Sequence, residues 1–220
     1  GDEPELSEIA AEYREDSRAQ SRPLIWALLA ALAPLAAMAA EQYGVSIPYW
    51  TGDGELQCVV ALALLLINLV LCRQVPVYGF RQLREKRCTG ALLVTLAAAV
   101  SAADCLLCLF HTGRAAAAPY APVASAALFF AQWGISRESR GNSDSFRMAS
   151  LDDNPPYLVT ETGRGACKQK GSLRGFYTTA SRTDYASRLQ AVFLPLILAA
   201  AVVFAGLTSL GAGRGADFLL

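Results

Sequence analysis

"LQCVVALALLLINLVLC", residues 56–72, is apolar almost throughout and carries one asparagine, Asn68. Hydrophobic residues make up 54% of the 220-residue chain, and they are gathered into blocks of this kind instead of recurring at the short period of a soluble helix or strand. A bilayer core about 30 Å thick takes about 20 mostly apolar residues in helical form. The quoted run, taken from Glu55 to Cys72, comes close to that, as do Pro23 to Gln42, Gly90 to Phe110, Ala115 to Ile135 and Leu189 to Leu210. The fold class expected is an all-α polytopic membrane protein with five transmembrane helices and a small cytoplasmic insert between the fourth and fifth. Asn68 then has a role open to it, a hydrogen bond to a neighbouring helix.

The formal charge is zero, from 19 basic and 19 acidic residues, so nothing in the total favours nucleic acid as a partner. Placement says more. Arg14, Arg18 and Arg22 precede the first span, and Arg73, Arg81, Arg84, Lys86 and Arg87 lie between the second and third. The long fourth connection holds nine Lys or Arg, while only Arg114 and Arg214 fall on the other side. By the positive-inside rule the N-terminus, the second connection and the long loop are cytoplasmic. The six cysteines lie in spans or on these cytoplasmic segments, so reduced thiols are expected. An acidic segment before the first span argues against a signal peptide. The chain begins with Gly1, and "GRGADFLL" at 213–220 reads as the approach to another hydrophobic segment, as expected of a fragment.

The chain divides into a charged cytoplasmic helix (1–22), a first transmembrane hairpin (23–73), an amphipathic basic platform (74–89), a second hairpin (90–135), a cytoplasmic loop (136–187), a fifth helix (188–210) and a tail (211–220). The first segment, with acids and bases at helical spacing, reads as a solvated helix. Pro34 and Pro195 are expected to kink their spans. Tyr49 and Trp50 suit a membrane interface. In "RQVPVYGFRQLREKRCTG", 73–90, Pro76 and Gly79 should break or bend the helix. Phe80 and Leu83 then share a face opposite Arg81, Arg84, Lys86 and Arg87, the pattern of a helix lying on the membrane surface. Ala121 with Ser125, and Ala127 with Ala131, place small residues four apart for close packing. The long loop carries a short strand at Tyr157 to Thr160, and a cytoplasmic protein is the partner it could engage.

"SAADCLLCLFH", 101–111, holds the candidate metal ligands. In a helix Asp104, Cys108 and His111 stand at i, i+4 and i+7 on one face, Ser101 lies one turn earlier, and Cys105 points elsewhere. Carboxylate, thiolate and imidazole together suit a transition metal such as zinc. The competing reading is polar packing, with Asp104 the residue hardest to dismiss because an ionisable group within a span is costly. Cys58 and Cys72 sit at opposite ends of one span, about 21 Å apart at a rise of about 1.5 Å per residue, and cannot share an ion. Cys167 in "GACKQKG" reads as a surface thiol.

The order of these features resembles the membrane region of heavy-metal-transporting P-type ATPases. "VPVYGFRQLREKRCTGALLVTLAAAVSA" is similar to that family's platform leading into its first core helix, "AALFFAQWGISRESRGNSDSFR" to the next helix running out toward the actuator domain, and "DYASRLQAVFLPLILAAAVVF" to the proline-bearing helix that returns from it. The resemblance implies a heavy-metal cation such as zinc or copper as cargo, a bacterial plasma membrane, and use of ATP only through domains lying beyond residue 220. Gly79 stands alone where the family has paired glycines, and Cys88, Thr89 and Gly90 stand where it has Asn-Met-Asp. The loop is about half an actuator domain, and Thr162 and Gly163 are followed by Arg164 where dephosphorylation needs Glu. A catalytically degenerate or truncated member is therefore implied, with no catalytic residue in the chain. The alternatives are a non-transporting scaffold or regulator acting through loop 136–187, and a membrane sensor.

Overall fold

The computed structural model describes residues 5–48, 50–51, 53–110, 120–150, 157–162, 165–170 and 185–211. Seven helices are formed by these residues: α1 (Leu6–Ser21), α2 (Leu24–Gln42), α3 (Gly54–Leu71), α4 (Gln74–Arg84), α5 (Gly90–Phe110), α6 (Ala121–Ala149) and α7 (Tyr185–Gly211). Two strands, β1 (Tyr157–Thr162) and β2 (Gly165–Lys170), pair antiparallel between α6 and α7, with Tyr157 opposite Lys170 and Thr162 opposite Gly165. The chain divides into two compact units. One contains residues 1–21 and 135–184, the other residues 22–134 and 185–220.

Among the described residues four helical stretches are long and apolar enough to cross a membrane: Leu6–Gln42, Gly54–Leu71, Gly90–Phe110 and Leu189–Leu207. The fourth expected span, 115 to 135, begins on residues outside those described. Its helix, α6, continues past Ile135 as far as Ala149, through a serine-rich, charged sequence.

In the larger unit α2 packs on α3, α3 on α5, and α5 on both α4 and α7. Polar and apolar residues are distributed the reverse of a water-soluble bundle. Ile25, Trp26, Leu29, Ile67, Val70 and Phe130 are exposed, as are Val192, Phe193, Ile197, Val203 and Phe204 of α7, whereas Asn68, Thr95, Asp104, Ser125 and Gln132 are buried. A helix apolar on every exposed side has no favourable contact with water, and an exposed patch of this extent marks a surface that meets lipid or protein. The buried side is narrow. Cys58, Ala61, Leu65, Asn68 and Cys72 form a stripe along α3, and Ala98, Cys105 and Cys108 face inward from α5. Small side chains at the contact let helix backbones approach, which drives association where lipid is as apolar as the side chains. The Asn68 amide fulfils the expected role: its Nδ2 donates to the Ser125 carbonyl oxygen of α6 at 2.9 Å.

Local chemistry sets the helix ends. The Asp53 carboxylate accepts from the Leu56 N–H at 3.0 Å, satisfying a donor left over in the first turn of α3 and placing negative charge at the positive end of the helix. At the other end the Cys72 N–H closes on the Asn68 carbonyl at 2.8 Å, and the chain turns through Cys72 and Arg73 into α4. The turn expected at Pro76 and Gly79 is therefore placed earlier. Pro76 lies in the first turn of α4, where a missing N–H costs little, and α4 runs unbroken through Gly79. Gly79 serves packing instead. A Cβ there would stand 3.0 Å from the Leu92 Cα and N and 3.1 Å from the Ala91 carbonyl carbon, so α4 crosses the start of α5 at backbone contact. Val77, Phe80 and Leu83 remain exposed alongside Arg81 and Arg84, the composition of an interfacial helix.

The smaller unit joins α1 to the second part of α6. The segment expected as a solvated helix has a buried face made of Ile9, Ala10 and Ser17. Ile9 and Ala10 cluster with Phe146, and the Tyr13 ring stacks on Phe146 at 5.7 Å between centroids and 5° between planes. Serines supply the rest. Ser143 Oγ donates to the Ala10 carbonyl oxygen at 2.8 Å, Ser17 Oγ to the Ser136 carbonyl oxygen at 3.1 Å, and the Ser21 and Ser136 hydroxyls share a hydrogen bond of 2.7 Å. Hydroxyls that find backbone acceptors avoid the cost of burying an unmatched polar group.

Candidate functional site

Of the candidate metal ligands on α5, those described are buried. Asp104 and Cys108 are both 4% exposed and Cys105 is fully buried, so the three occupy one inward arc of the helix. Cys105, expected to point away from this face, belongs to it. The i, i+1, i+4 arrangement spreads these groups over a wider sector than a strict i, i+4, i+7 face. His111 lies outside the described residues.

The group that closes the site comes from α3. Cys58 of α3, 1% exposed, lies within electrostatic range of Cys108, Cys105 and Asp104. Cys58 is close to the start of α3 and Cys105 and Cys108 are close to the end of α5, so the two helices run in opposite directions. At a rise of about 1.5 Å per residue, Cys58 lies about 6 Å from its helix end and Cys105 and Cys108 about 3–8 Å from theirs. Depth therefore brings them together. The sequence contained this signal, since consecutive spans joined through a surface helix must place the start of one near the end of the other. Comparing cysteines within one span, as for Cys58 and Cys72, passes over it.

Above this cluster α2 and α3 are tied by an amide. Gln57 Nε2 donates to a Glu41 carboxylate oxygen at 3.1 Å and to the Trp50 carbonyl oxygen at 3.0 Å. The first contact is charge-assisted, the stronger class of hydrogen bond. It fixes the turn of α3 that carries Cys58. A second polar line runs along α6, where Ser125 and Gln132 are each 1% exposed, and neither the Ser125 hydroxyl nor the Gln132 Oε1 has a hydrogen-bond partner among the described residues. Gln132 is a buried amide that the sequence reading did not single out. Its seven-residue spacing from Ser125 was the available sign.

Chemically, the α3–α5 cluster offers three thiols and a carboxylate. Thiolates are soft donors suited to copper(I), zinc and related ions. Among the described residues no three His, Cys, Asp or Glu side chains are grouped so that they could hold a metal ion. The arrangement is thus one thiol of α3, Cys58, within electrostatic range of Cys108, Cys105 and Asp104 of α5. Cys167, by contrast, is exposed on β2. No family model matches the chain, and no curated protein and no solved structure matches it.

Proposed function

We propose that the chain is the membrane portion of a heavy-metal cation transporter of P-type-ATPase-like design, catalytically degenerate, with its N-terminus in the cytoplasm of a bacterial cell. The observation that carries this reading is the junction of α4 with α5. A short helix with exposed basic and apolar residues meets the following apolar helix at a glycine, and that helix carries a buried Asp104, Cys105 and Cys108 opposite Cys58. The order of elements supports it too: an apolar pair, the basic helix, a second pair whose last helix extends to a β-hairpin, and a returning helix with Pro195 inside it. A soft cation entering the cluster would be met by thiols from two helices, with Asp104 available to balance charge. Ser125 and Gln132 supply further buried oxygen atoms on α6.

A second reading, a membrane scaffold or regulator acting through residues 136–187, draws on the separate α1–α6 unit and on the lack, among the described residues, of any group of three metal-binding side chains. Equilibrium dialysis of the chain in lipid nanodiscs against zinc(II), and against copper(I) under reducing conditions, separates the two. The transporter reading expects one ion per chain, with affinity reduced on the order of 10-fold or more in Cys108→Ser and in Asp104→Ala, as befits ligands or their immediate support. Equal binding by the parent and both variants, or no binding at all, would favour the scaffold.

A further inference from the structure

Residues 73–90 carry five cations, Arg73, Arg81, Arg84, Lys86 and Arg87, against one acid, Glu85. All five are exposed, and so are the apolar Val77, Phe80 and Leu83 among them. Helical geometry sets their order. Gly79 meets the backbone of Ala91 and Leu92, so α5 covers that side of α4. At about 100° per residue, Val77, Arg81 and Arg84 fall on the side away from Gly79, with Phe80 at its flank. Val77 and Arg81 are four apart, as are Phe80 and Arg84, so each cation stands next to an apolar side chain on the helix surface. The turn that ends α4 adds two more charges. The Arg87 N–H donates to the Gln82 carbonyl oxygen at 2.9 Å and the Lys86 N–H to the Leu83 carbonyl oxygen at 2.8 Å, the paired closure of a Schellman motif. Lys86 takes its left-handed position, with φ 59°, where glycine is the usual occupant.

We propose that α4 and the turn after it form a binding surface for anionic phospholipid. The lipid phosphate accepts from the guanidinium groups of Arg81 and Arg84, the donors best matched to its oxygens, and its acyl chains cover Val77 and Phe80. Lys86 and Arg87 extend the positive field past the end of the helix. Both halves of the surface are used by this one occupant. An acidic protein or a free phosphate ester would engage the cations and leave Val77 and Phe80 in water, and a neutral lipid would leave the net positive charge unmatched. The exposed apolar surface also continues beyond α4, into Ile67 and Val70 in the last two turns of α3 and Leu96 near the start of α5, so the phase beside α4 is lipid and its cations meet headgroups. Each Lys or Arg held at an anionic membrane surface favours association by about 5-fold.

The test places the full chain in nanodiscs of equimolar phosphatidylglycerol and phosphatidylcholine with matched acyl chains, and counts the lipids retained on the released protein by native mass spectrometry. The expected result is an excess of phosphatidylglycerol on the order of 10-fold that shrinks as salt is raised, since exposed charges are screened. Arg81→Gln with Arg84→Gln should lower that excess by about 5-fold or more. Lys86→Gly should lower it by a smaller factor while leaving α4 at least as stable, because glycine relieves the left-handed backbone. Phe80→Ser should lower phosphatidylglycerol retention with every charge in place. Arg140→Gln with Arg147→Gln, at exposed positions of α6, should leave the excess unchanged. Equal retention of the two lipids by the parent, or an excess untouched by the Arg81 and Arg84 changes, would overturn the proposal. So would displacement of the lipid by glycerol 3-phosphate, the mark of a free phosphate ester site, or binding of polyglutamate to the chain in phosphatidylcholine nanodiscs, the mark of a surface for an acidic protein. None of these results depends on whether the chain binds or moves a metal.

Discussion

Gly79→Val is expected to destabilise the membrane unit by about 3 kcal/mol, the upper part of the range for forcing atoms into a packed contact. Even an alanine Cβ would stand 3.0 Å from backbone atoms of Leu92, which have no rotamer through which to escape. The helix-propensity gain of replacing glycine, about 1 kcal/mol, offsets part of the strain for Gly79→Ala and less for valine, whose branched side chain adds volume at the same point. The ordering parent, Gly79→Ala, Gly79→Val should appear in thermal unfolding followed in detergent. Hydrogen exchange should localise the loss to α4. Gly134→Ala is the matched control, since nothing lies within 4 Å of a Cβ at that position; it should be neutral or stabilising. A Gly79→Val chain as stable as the parent would mean that α4 does not rest on α5.

Phe146→Ala should release α1 from α6. Phe146 is 4% exposed and is the largest side chain of a cluster otherwise made of Ile9 and Ala10 with Leu6 and Tyr13 at its edge. Truncating a buried phenylalanine costs about 3–5 kcal/mol, and the stacked Tyr13 contributes about 0.5–1.5 kcal/mol that is lost with it. So small a cluster can collapse in part, which places the expectation near 3 kcal/mol. Because the chain has two units, a single global unfolding free energy is not the right readout. Amide exchange over residues 6–21 is, and about 3 kcal/mol corresponds to a loss of protection on the order of 100-fold. Exchange in α3 and α5 should be unchanged. Phe146→Leu, which keeps most of the apolar volume, should lose far less.

Apolar runs were the most legible feature of the sequence. Residues 56–72 and 90–110 are helices at nearly the expected bounds because a run that long without charge has one backbone solution in lipid, the helix that satisfies its own hydrogen bonds. The turn before α4 was misplaced because proline and glycine read as breakers, while position decides their effect. Pro76 is in a first turn, and Gly79 is where another backbone arrives. The buried face of α1 was hidden by its charges. Tyr13 and Ile9 only become a face once Phe146 is opposite them, and Phe146 lies far along the chain in a segment that reads as polar. In the thiol cluster, Asp104 and Cys108 were visible from spacing on one helix. Cys58 required the direction and depth of two helices together, and the burial of Cys105 is not set by spacing on one helix.

The account rests on α3 crossing a bilayer, which would leave the α2–α3 connection on one side and α4 on the other. Substituted-cysteine labelling tests this most directly. Ser46→Cys and Arg84→Cys, both at exposed positions flanking α3, are placed singly in the full chain, and sealed membranes are treated with an impermeant maleimide whose site is read by peptide mass. The predicted result is labelling of residue 46 from the outer side only and of residue 84 from the cytoplasmic side only. Labelling of both from the same side of intact membranes would contradict the account.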